Sequence, residues 1–269
     1  MQVCGIDLTS SPTRRKPIML AVASLTKSVL TLQQLQGFVT WADYETWLAD
    51  KQSWIAGFDH PFGLPRELII QLGWPLDWPT LMAYYAGLSR AEIRDIFRAF
   101  CHARPVGNKF AHRACDIPAA ASPSMKWVNP PVAYMLKEGV PRLLAAGVHL
   151  PGLHDGDPRR IALEAYPGYS ARLITRASYK SDDRSKQTTA RFTARQQILQ
   201  ALMQGRPHDI TLNCSAALQQ QLLDDASGDA LDAMLCAVQA AVCWQQRDLH
   251  YGLPKQFDPL EGWIATVPG

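Results

Sequence analysis

The stretch WIAGFDHPFGLP, residues 54–65, decides the fold, because an apolar run ends at a carboxylate and is followed at once by two prolines and a glycine. A short apolar run is typical of a buried strand, and proline cannot continue the hydrogen-bond ladder of a central strand. We therefore expect a strand over residues 54–58 that stops at Asp59. The carboxylate of Asp59 then lies at the carboxyl edge of a sheet.

Three more acids occupy comparable places in the chain. Asp7 ends the apolar run VCGID, and Glu164 ends IALE. Asp232, in GDALDAM, stands in the first turn of an apolar helix expected over residues 229–244, and Asp229 lies on the same side of that helix. Oxygen ligands gathered in this way suit Mg²⁺ or Mn²⁺. The sequence therefore predicts one catalytic metal site formed by Asp7, Asp59, Glu164 and Asp232, with Asp229 as a further ligand.

Each of these acids, taken alone, also fits a structural role. Asp7 could start a turn before LTSSP, and Asp59 could form an Asx-turn before His-Pro. Asp229 and Asp232 have the spacing of a helix cap and its third position. A carboxylate directly after an apolar run is costly unless it caps, pairs or binds a metal. One shared site therefore explains the four positions better than four separate caps.

The pattern of apolar and polar residues organises the 269 residues into a single α/β domain. The first two strands should form an antiparallel hairpin, since the SSPTRR loop between them is polar and contains proline. Residues 75–156 combine a helical pattern with Pro-, Ser- and Asn-rich stretches, which predicts a largely helical and loop insertion. Strands are expected near residues 3–8, 17–25, 28–32, 54–58 and 161–165, and helices near residues 40–50, 82–103, 169–174, 189–204 and 229–244.

Composition narrows the class of protein. The net charge of +3 is too small to identify a nucleic-acid binder by itself. The six cysteines are scattered, with no CxxC pair, so we expect reduced thiols. No apolar run approaches the roughly 18 residues of a membrane span, and no signal-like segment opens the chain. We therefore expect a cytoplasmic protein with no membrane contact.

Four blocks of the sequence carry a family resemblance: GIDL, AGFDHPFGLP, EAYPG with the downstream SYKSDDR, and GDALDAMLCA. Together they resemble an uncharacterised family of predicted nucleases with the ribonuclease H fold. This domain-of-unknown-function group belongs to the superfamily that includes RuvC resolvase, and the resemblance runs nearly end to end. It implies a ribonuclease H-like mixed β-sheet flanked by helices, with Asp7, Asp59, Glu164 and Asp232 converging. It implies no particular substrate.

Two basic segments are candidates for contact with a nucleic-acid backbone. Residues 172–195 contain seven Lys or Arg residues against two acids, and a second cluster surrounds PVGNKFAHR in the expected insertion. Arg191 and Arg195 lie one helical turn apart and could contact successive phosphates, while Tyr179 could stack on a base. A solvated surface is the alternative interpretation. The expected substrate-binding residues are Lys109, Arg113, Tyr179, Lys180, Arg184, Lys186, Arg191 and Arg195.

His60 directly follows Asp59 and is a candidate proton shuttle. Imidazole titrates near neutrality, so a histidine beside a carboxylate can move protons or position water. A structural hydrogen bond is the alternative role, and general experience of buried histidines favours it.

These observations predict a metal-dependent nuclease that uses two carboxylate-held Mg²⁺ or Mn²⁺ ions to hydrolyse phosphodiesters of DNA or RNA. A second hypothesis is an actin-like or sugar-kinase-like ATP-binding protein, although the loop after Asp7, LTSSPTRR, lacks the glycines of a phosphate-binding loop. A third is a catalytically silent module of the same fold that binds nucleic acid or protein. The sequence does not indicate an oligomeric state.

Overall fold

A computed structural model describes residues 1–269 as one central sheet covered by helices on both faces. The α/β class expected from the sequence, with a sheet flanked by helices, is confirmed. The strands are β1 (Gln2–Asp7), β2 (Ile18–Thr26), β3 (Val29–Phe38), β4 (Trp54–Phe58), β5 (Val148–His149), β6 (Asp157–Glu164) and β7 (Thr211–Asn213). The helices are α1 (Trp41–Ala49), α2 (Arg66–Leu72), α3 (Trp78–Gly87), α4 (Arg90–His102), α5 (Asp116–Ala119), α6 (Val132–Ala145), α7 (Pro167–Ile174), α8 (Thr189–Met203), α9 (Ala216–Asp224) and α10 (Asp229–Gln245). Two short 3-10 helices cover Arg184–Lys186 and Arg247–Gly252.

The seven strands form one mixed sheet in the order β5-β6-β4-β1-β2-β3-β7. β1, β2 and β3 form an antiparallel meander that includes the expected hairpin. On the other side of β1, β4 and then β6 join in parallel, with Phe58 opposite Glu164. Because the carboxyl ends of parallel neighbours meet at one edge, Asp7, Asp59 and Glu164 lie along the same edge of the sheet.

The structure corrects several expected boundaries. The single helix expected over residues 82–103 is wrong, because α3 ends near Gly87 and Ser89 starts a new helix. The side chain of Ser89 accepts from the backbone N–H of Glu92, and the Glu92 carboxylate accepts from the backbone N–H of Ser89. This capping box stabilises the start of α4. The third strand is longer than expected, and the short strands β5 and β7 were not expected.

One face of the sheet is covered by the helices that lie between β4 and β6. A single apolar core contains Ile6 and Phe58 of the sheet together with Leu81, Phe97 and Leu136 from α3, α4 and α6. The segment over residues 75–156 holds four helices and the loops between them. This segment therefore shares its core with the sheet and does not form a separate one.

The other face is covered mainly by α10, which is buried along almost its whole length. Its side chains join Val3, Ala21 and Ile55 of the sheet in a second apolar core. No single helix of the structure has both the length and the apolar composition needed to cross a membrane. Helices α9 and α10, which are joined at a bend, have that length and apolar composition only when they are taken together.

Two glycines allow α10 to lie directly against the sheet. Gly5 of β1 and Gly57 of β4 are opposite each other in the parallel ladder. A methyl group built on Gly5 would lie 1.9 Å from the carbonyl oxygen of Ala233, and one built on Gly57 would lie 2.4 Å from that of Cys236. No side chain larger than hydrogen fits at either position without moving the helix backbone. The helix main chain therefore rests on β1 and β4, which brings its first turn beside the carboxyl ends of these strands.

We expect Gly5→Ala to lower the free energy of unfolding by at least about 2 kcal/mol, because overpacking against backbone atoms displaces α10. Urea denaturation of both proteins measures this change. Gly87→Ala is the matched control, since Gly87 ends α3 with nothing within 4 Å of an added methyl group. A Gly5→Ala protein within about 0.5 kcal/mol of wild type, the range of ordinary surface substitutions, would contradict the close approach of α10.

Candidate functional site

Three of the expected acids converge where α10 begins. One carboxylate oxygen from each of Asp7, Asp59 and Asp232 lies within 4.8 Å of the other two. Asp7 ends β1, and Asp59 follows β4, where its backbone N–H donates to the carbonyl oxygen of Ile6 at 2.8 Å. Asp232 stands in the first turn of α10. Two parallel strands and one helix therefore bring together three acids that are far apart in sequence.

The electrostatics of the site oppose the ionisation of Asp7 and Asp59. Burial, followed by the negative charges of Asp229, Asp232 and Asp59, raises the pKa of Asp7 well above its ordinary value. Burial likewise raises the pKa of Asp59 to about 7. Convergent carboxylate oxygens that repel one another are a donor set that suits a hard divalent cation. The residues present therefore fit Mg²⁺ or Mn²⁺.

Two lysines and a tyrosine hold the acids of α10. Lys180 forms an ion pair with Asp232, and the hydroxyl of Tyr179 donates to Oδ1 of Asp232 at 2.5 Å. Nζ of Lys16 lies 2.7 Å from Oδ1 of Asp229. Tyr179 is buried with its hydroxyl committed to Asp232 and also lines the cleft described below, so its stacking on a base stays a prediction. Lys180 remains 42% exposed, so it can meet both the cluster and a ligand.

Glu164 lies at the same edge of the sheet but pairs with a different partner. Nη2 of Arg113 lies 2.6 Å from Oε1 of Glu164, and Nη1 lies 2.8 Å from Oε2. The backbone N–H of Phe62 also donates to Oε2 at 2.8 Å, and Asp116 pairs with the same arginine at 2.9 Å. Glu164 therefore lines the same cleft without belonging to the group of three convergent acids, and its oxygens are engaged by these donors. Arg113, only 2% exposed, is likewise a partner of buried acids and not a free phosphate contact.

The basic segment that follows is only partly available to a ligand. Arg195 is 4% exposed, and its guanidinium donates to the carbonyl oxygens of Tyr179 and Leu223, each at 2.8 Å. The expected pair of phosphate contacts from Arg191 and Arg195 is therefore wrong, because Arg195 is used inside the fold. Arg191 is half-buried, and its guanidinium donates to Oγ of Ser178 at 3.2 Å and to the carbonyl oxygen of Lys186. The remaining expected cations, Lys109, Arg184 and Lys186, lie exposed on the surface.

His60 is buried beside the cluster in a neutral form. Its Nδ1 donates to the carbonyl oxygen of Pro61 at 3.0 Å, while Nε2 is buried without a hydrogen-bond partner. Burial lowers the pKa of His60 to about 4, so the ring is uncharged at neutral pH. The ring also packs against Phe58 and Phe62. These contacts favour the structural role over the expected proton shuttle.

Asp7 and Asp59 line a cleft of about 760 Å³, a volume typical of small-ligand sites. Its walls include Tyr166 and the segment over residues 129–131, with the cations Lys16 and Lys180 near the acids. Lys16 and Tyr166 line this cleft but are not among the site residues that the sequence predicted. A run of three cations, RRK, stands in the hairpin loop directly after the strand of Asp7, and that run could have indicated Lys16.

A comparison with known families shows to which family the chain belongs. A family model described as a protein of unknown function, DUF429, matches residues 5–255. The chain belongs to this family. Membership in an uncharacterised domain family, expected from the sequence, is therefore confirmed, and the matched residues include all three converging acids. No curated protein matches the chain, and no solved structure matches it.

The raised pKa values predict how the stability of this DUF429 protein depends on pH. The folded state keeps a proton on Asp59 up to about pH 7, whereas the ordinary pKa is 3.8. The protonated Asp59 therefore contributes stability that is fully present below pH 3.8 and is lost as pH rises through about 7. We expect Asp59→Asn, which removes this titration, to exceed wild type in stability at about pH 8 by on the order of 2 kcal/mol, with the gain vanishing near pH 4.

Urea denaturation in EDTA at both pH values measures the effect. Asp248→Asn is the control, because the Asp248 side chain is 86% exposed. Equal pH dependence of wild type and Asp59→Asn would contradict the raised pKa.

Arg113 should be essential for stability. Replacing it with Met leaves the buried carboxyl groups of Glu164 and Asp116 without their cation, a change that typically costs about 3–5 kcal/mol. The control is Arg159→Met, because Arg159 is 62% exposed and pairs only at the surface with Asp157. Thermal or urea denaturation compares the two proteins. Similar small losses in both variants would contradict the buried network.

Proposed function

We propose that this protein is a metal-dependent phosphodiester hydrolase, a nuclease with a ribonuclease H-like fold that acts on nucleic acid. The observation that carries the proposal is the convergence of Asp7, Asp59 and Asp232 within 4.8 Å beside a ligand-sized cleft. A bound Mg²⁺ or Mn²⁺ would supply an activated water and neutralise charge on the leaving oxygen of a phosphodiester. Clustered carboxylates with raised pKa values are typical of functional sites, since such clusters are costly to keep for stability alone.

The arrangement of the sheet supports the ribonuclease H-like assignment. The resemblance read from the sequence implies a mixed sheet flanked by helices, with acids from separate elements gathered at one place. The sheet agrees with that description, because an antiparallel meander is joined by parallel strands. The late helix α10, whose first turn carries Asp232, lies on β1. The fold alone does not identify a substrate, so the proposed function depends on the three convergent acids.

The three convergent acids are the proposed metal ligands, and Asp229 is a fourth carboxylate next to them. Glu164 has a different role in this proposal. Through Oε2 it holds the backbone N–H of Phe62, three residues after Asp59, and so fixes the turn that presents the Asp59 carboxylate. Arg113 holds Glu164 in turn, and it acts as a positioning residue and not as a ligand for substrate.

Lys180 and Tyr179 orient the carboxylate of Asp232. The tyrosine hydroxyl fixes one carboxylate oxygen, and the lysine contacts the other. Because Lys180 is partly exposed toward the cleft, its ammonium group can also attract a substrate phosphate. This charge favours an anionic substrate in a cleft whose acids would otherwise repel one.

One observation favours a second candidate, the catalytically silent binding module. Lys180 and Lys16 already neutralise Asp232 and Asp229 without any ion. In such a module the acids serve stability, metal binding is weak, and removing a carboxylate leaves nucleic-acid affinity unchanged or higher. The ATP-binding alternative has no such support, since residues 8–16 between β1 and β2 contain no glycine to cradle a phosphate.

Asp7→Asn should abolish both metal binding and hydrolysis, because the variant loses a charged ligand at the centre of the cluster. Isothermal titration of Mn²⁺ and Mg²⁺ measures the first, and cleavage of labelled DNA and RNA strands with Mn²⁺ measures the second. Loss of one essential ligand typically lowers hydrolysis by a factor of about 10³ or more.

Asp248→Asn is the matched control, since it removes one exposed carboxylate that lies beyond the last turn of α10, whereas Asp232 lies in its first turn. It should bind metal and hydrolyse substrate as wild type does. Full activity of Asp7→Asn would refute the metal site, and the absence of both metal binding and cleavage in wild type would favour the silent module.

A further inference from the structure

A second, smaller cavity adjoins the cleft on the side of the β1–β2 loop. Its volume is about 400 Å³, and no apolar residue lines it. It shares Lys16 and Asp182 with the main cleft, so the two cavities are direct neighbours. Nζ of Lys16 lies 2.8 Å from Asp182 at this junction. Arg15 and Arg184 complete the charged lining of the small cavity.

The two arginines of the small cavity are free to bind a ligand. Arg15 lies in the β1–β2 loop and Arg184 lies in the short 3-10 helix, and both side chains are exposed. Neither guanidinium makes an ion pair or a hydrogen bond within the protein. A phosphate therefore displaces no internal partner when it binds them, and guanidinium groups match phosphate oxygens in a bidentate manner.

The two cavities differ in what they can recognise. The small cavity is lined by charged, amide and hydroxyl side chains and by no aromatic or aliphatic residue, so it suits a sugar-phosphate backbone better than a base. The main cleft has Tyr166 and two prolines, Pro130 and Pro131, in its walls, and such surfaces can accept the flat face of a base. Lys16, which lies with the acids in the main cleft, also lines the small cavity together with the free arginines.

We infer that the substrate is a single-stranded nucleic acid, bound with one nucleotide in the main cleft and its continuing backbone on Arg15 and Arg184. This inference rests on the proposed function and adds the form of the substrate and its path. Asp7 and Asp232 are buried, and the cleft beside them, with a volume of about 760 Å³, is of a size that accepts a small ligand such as a nucleotide. A duplex must unpair its end before a single nucleotide can enter this cleft, and unpairing costs free energy.

The test is binding of fluorescently labelled oligothymidylate and oligouridylate of about 12 nucleotides, a length within the site sizes of single-strand grooves. Anisotropy is measured in EDTA, so binding is scored without cleavage. The Arg15→Ala/Arg184→Ala protein should bind both strands about tenfold more weakly than wild type. Its slope of log affinity against log salt concentration should be shallower by about 1.4, because each lost phosphate contact removes about 0.7 on a single strand. Arg94→Ala/Arg98→Ala is the charge-matched control, since both residues are exposed on α4 and line neither cavity.

A tenfold loss confined to the Arg15/Arg184 variant, with duplex of the same length bound more weakly than single strand by wild type, supports the inference. A stronger effect on one of the two strands identifies DNA or RNA as the preferred form. Equal losses in both double variants, equal affinity for duplex, or no binding of either strand by wild type would overturn it. Binding of single strands without any metal-dependent cleavage would instead refute the proposed hydrolysis and leave the binding path intact.

Discussion

The contact on which the site depends is the backbone of α10 resting on two paired glycines. At Gly5 and Gly57 no side chain separates the helix from β1 and β4. An ordinary helix packs on a sheet through a layer of side chains, whereas here main chain meets main chain. The first turn of α10 is thereby held at the level of Asp7 and Asp59. A carboxylate on this turn, Asp232, joins them as a direct result.

The same contact creates an electrostatic cost that the surrounding residues relieve only in part. Burial and mutual repulsion raise the pKa of Asp7 and of Asp59, so these two carboxyl groups resist ionisation. Lys180 balances Asp232, and Lys16 balances Asp229, from outside the helix. Asp7 has no such cation in direct contact. The site therefore has too few positive charges for its carboxyl groups, and binding of an added cation beside Asp7 and Asp59 is strongly favoured.

Local signals in the sequence predict much of the fold and part of the site. Asp59 can be assigned to a strand end because HPFGLP stops the strand, and the apolar character of residues 229–244 indicates a buried helix that carries Asp232. The capping box at Ser89 and Glu92 was also visible in the sequence, although the expected helix ran through it. Pairings over long sequence distances could not be predicted in this way. Nothing local indicates that Arg113 binds Glu164, and charge patterns do not reveal that Arg195 points inward.

The central claim is that the acids of β1, β4 and α10 form a cation site. A crystal structure grown with Mn²⁺, using the anomalous scattering of the metal, tests this claim most directly. The account predicts an anomalous peak in contact with carboxylate oxygens of Asp7, Asp59 and Asp232, with Glu164 still bound to Arg113. A map without a peak at the three acids, at Mn²⁺ concentrations that fill ordinary carboxylate sites, would contradict it.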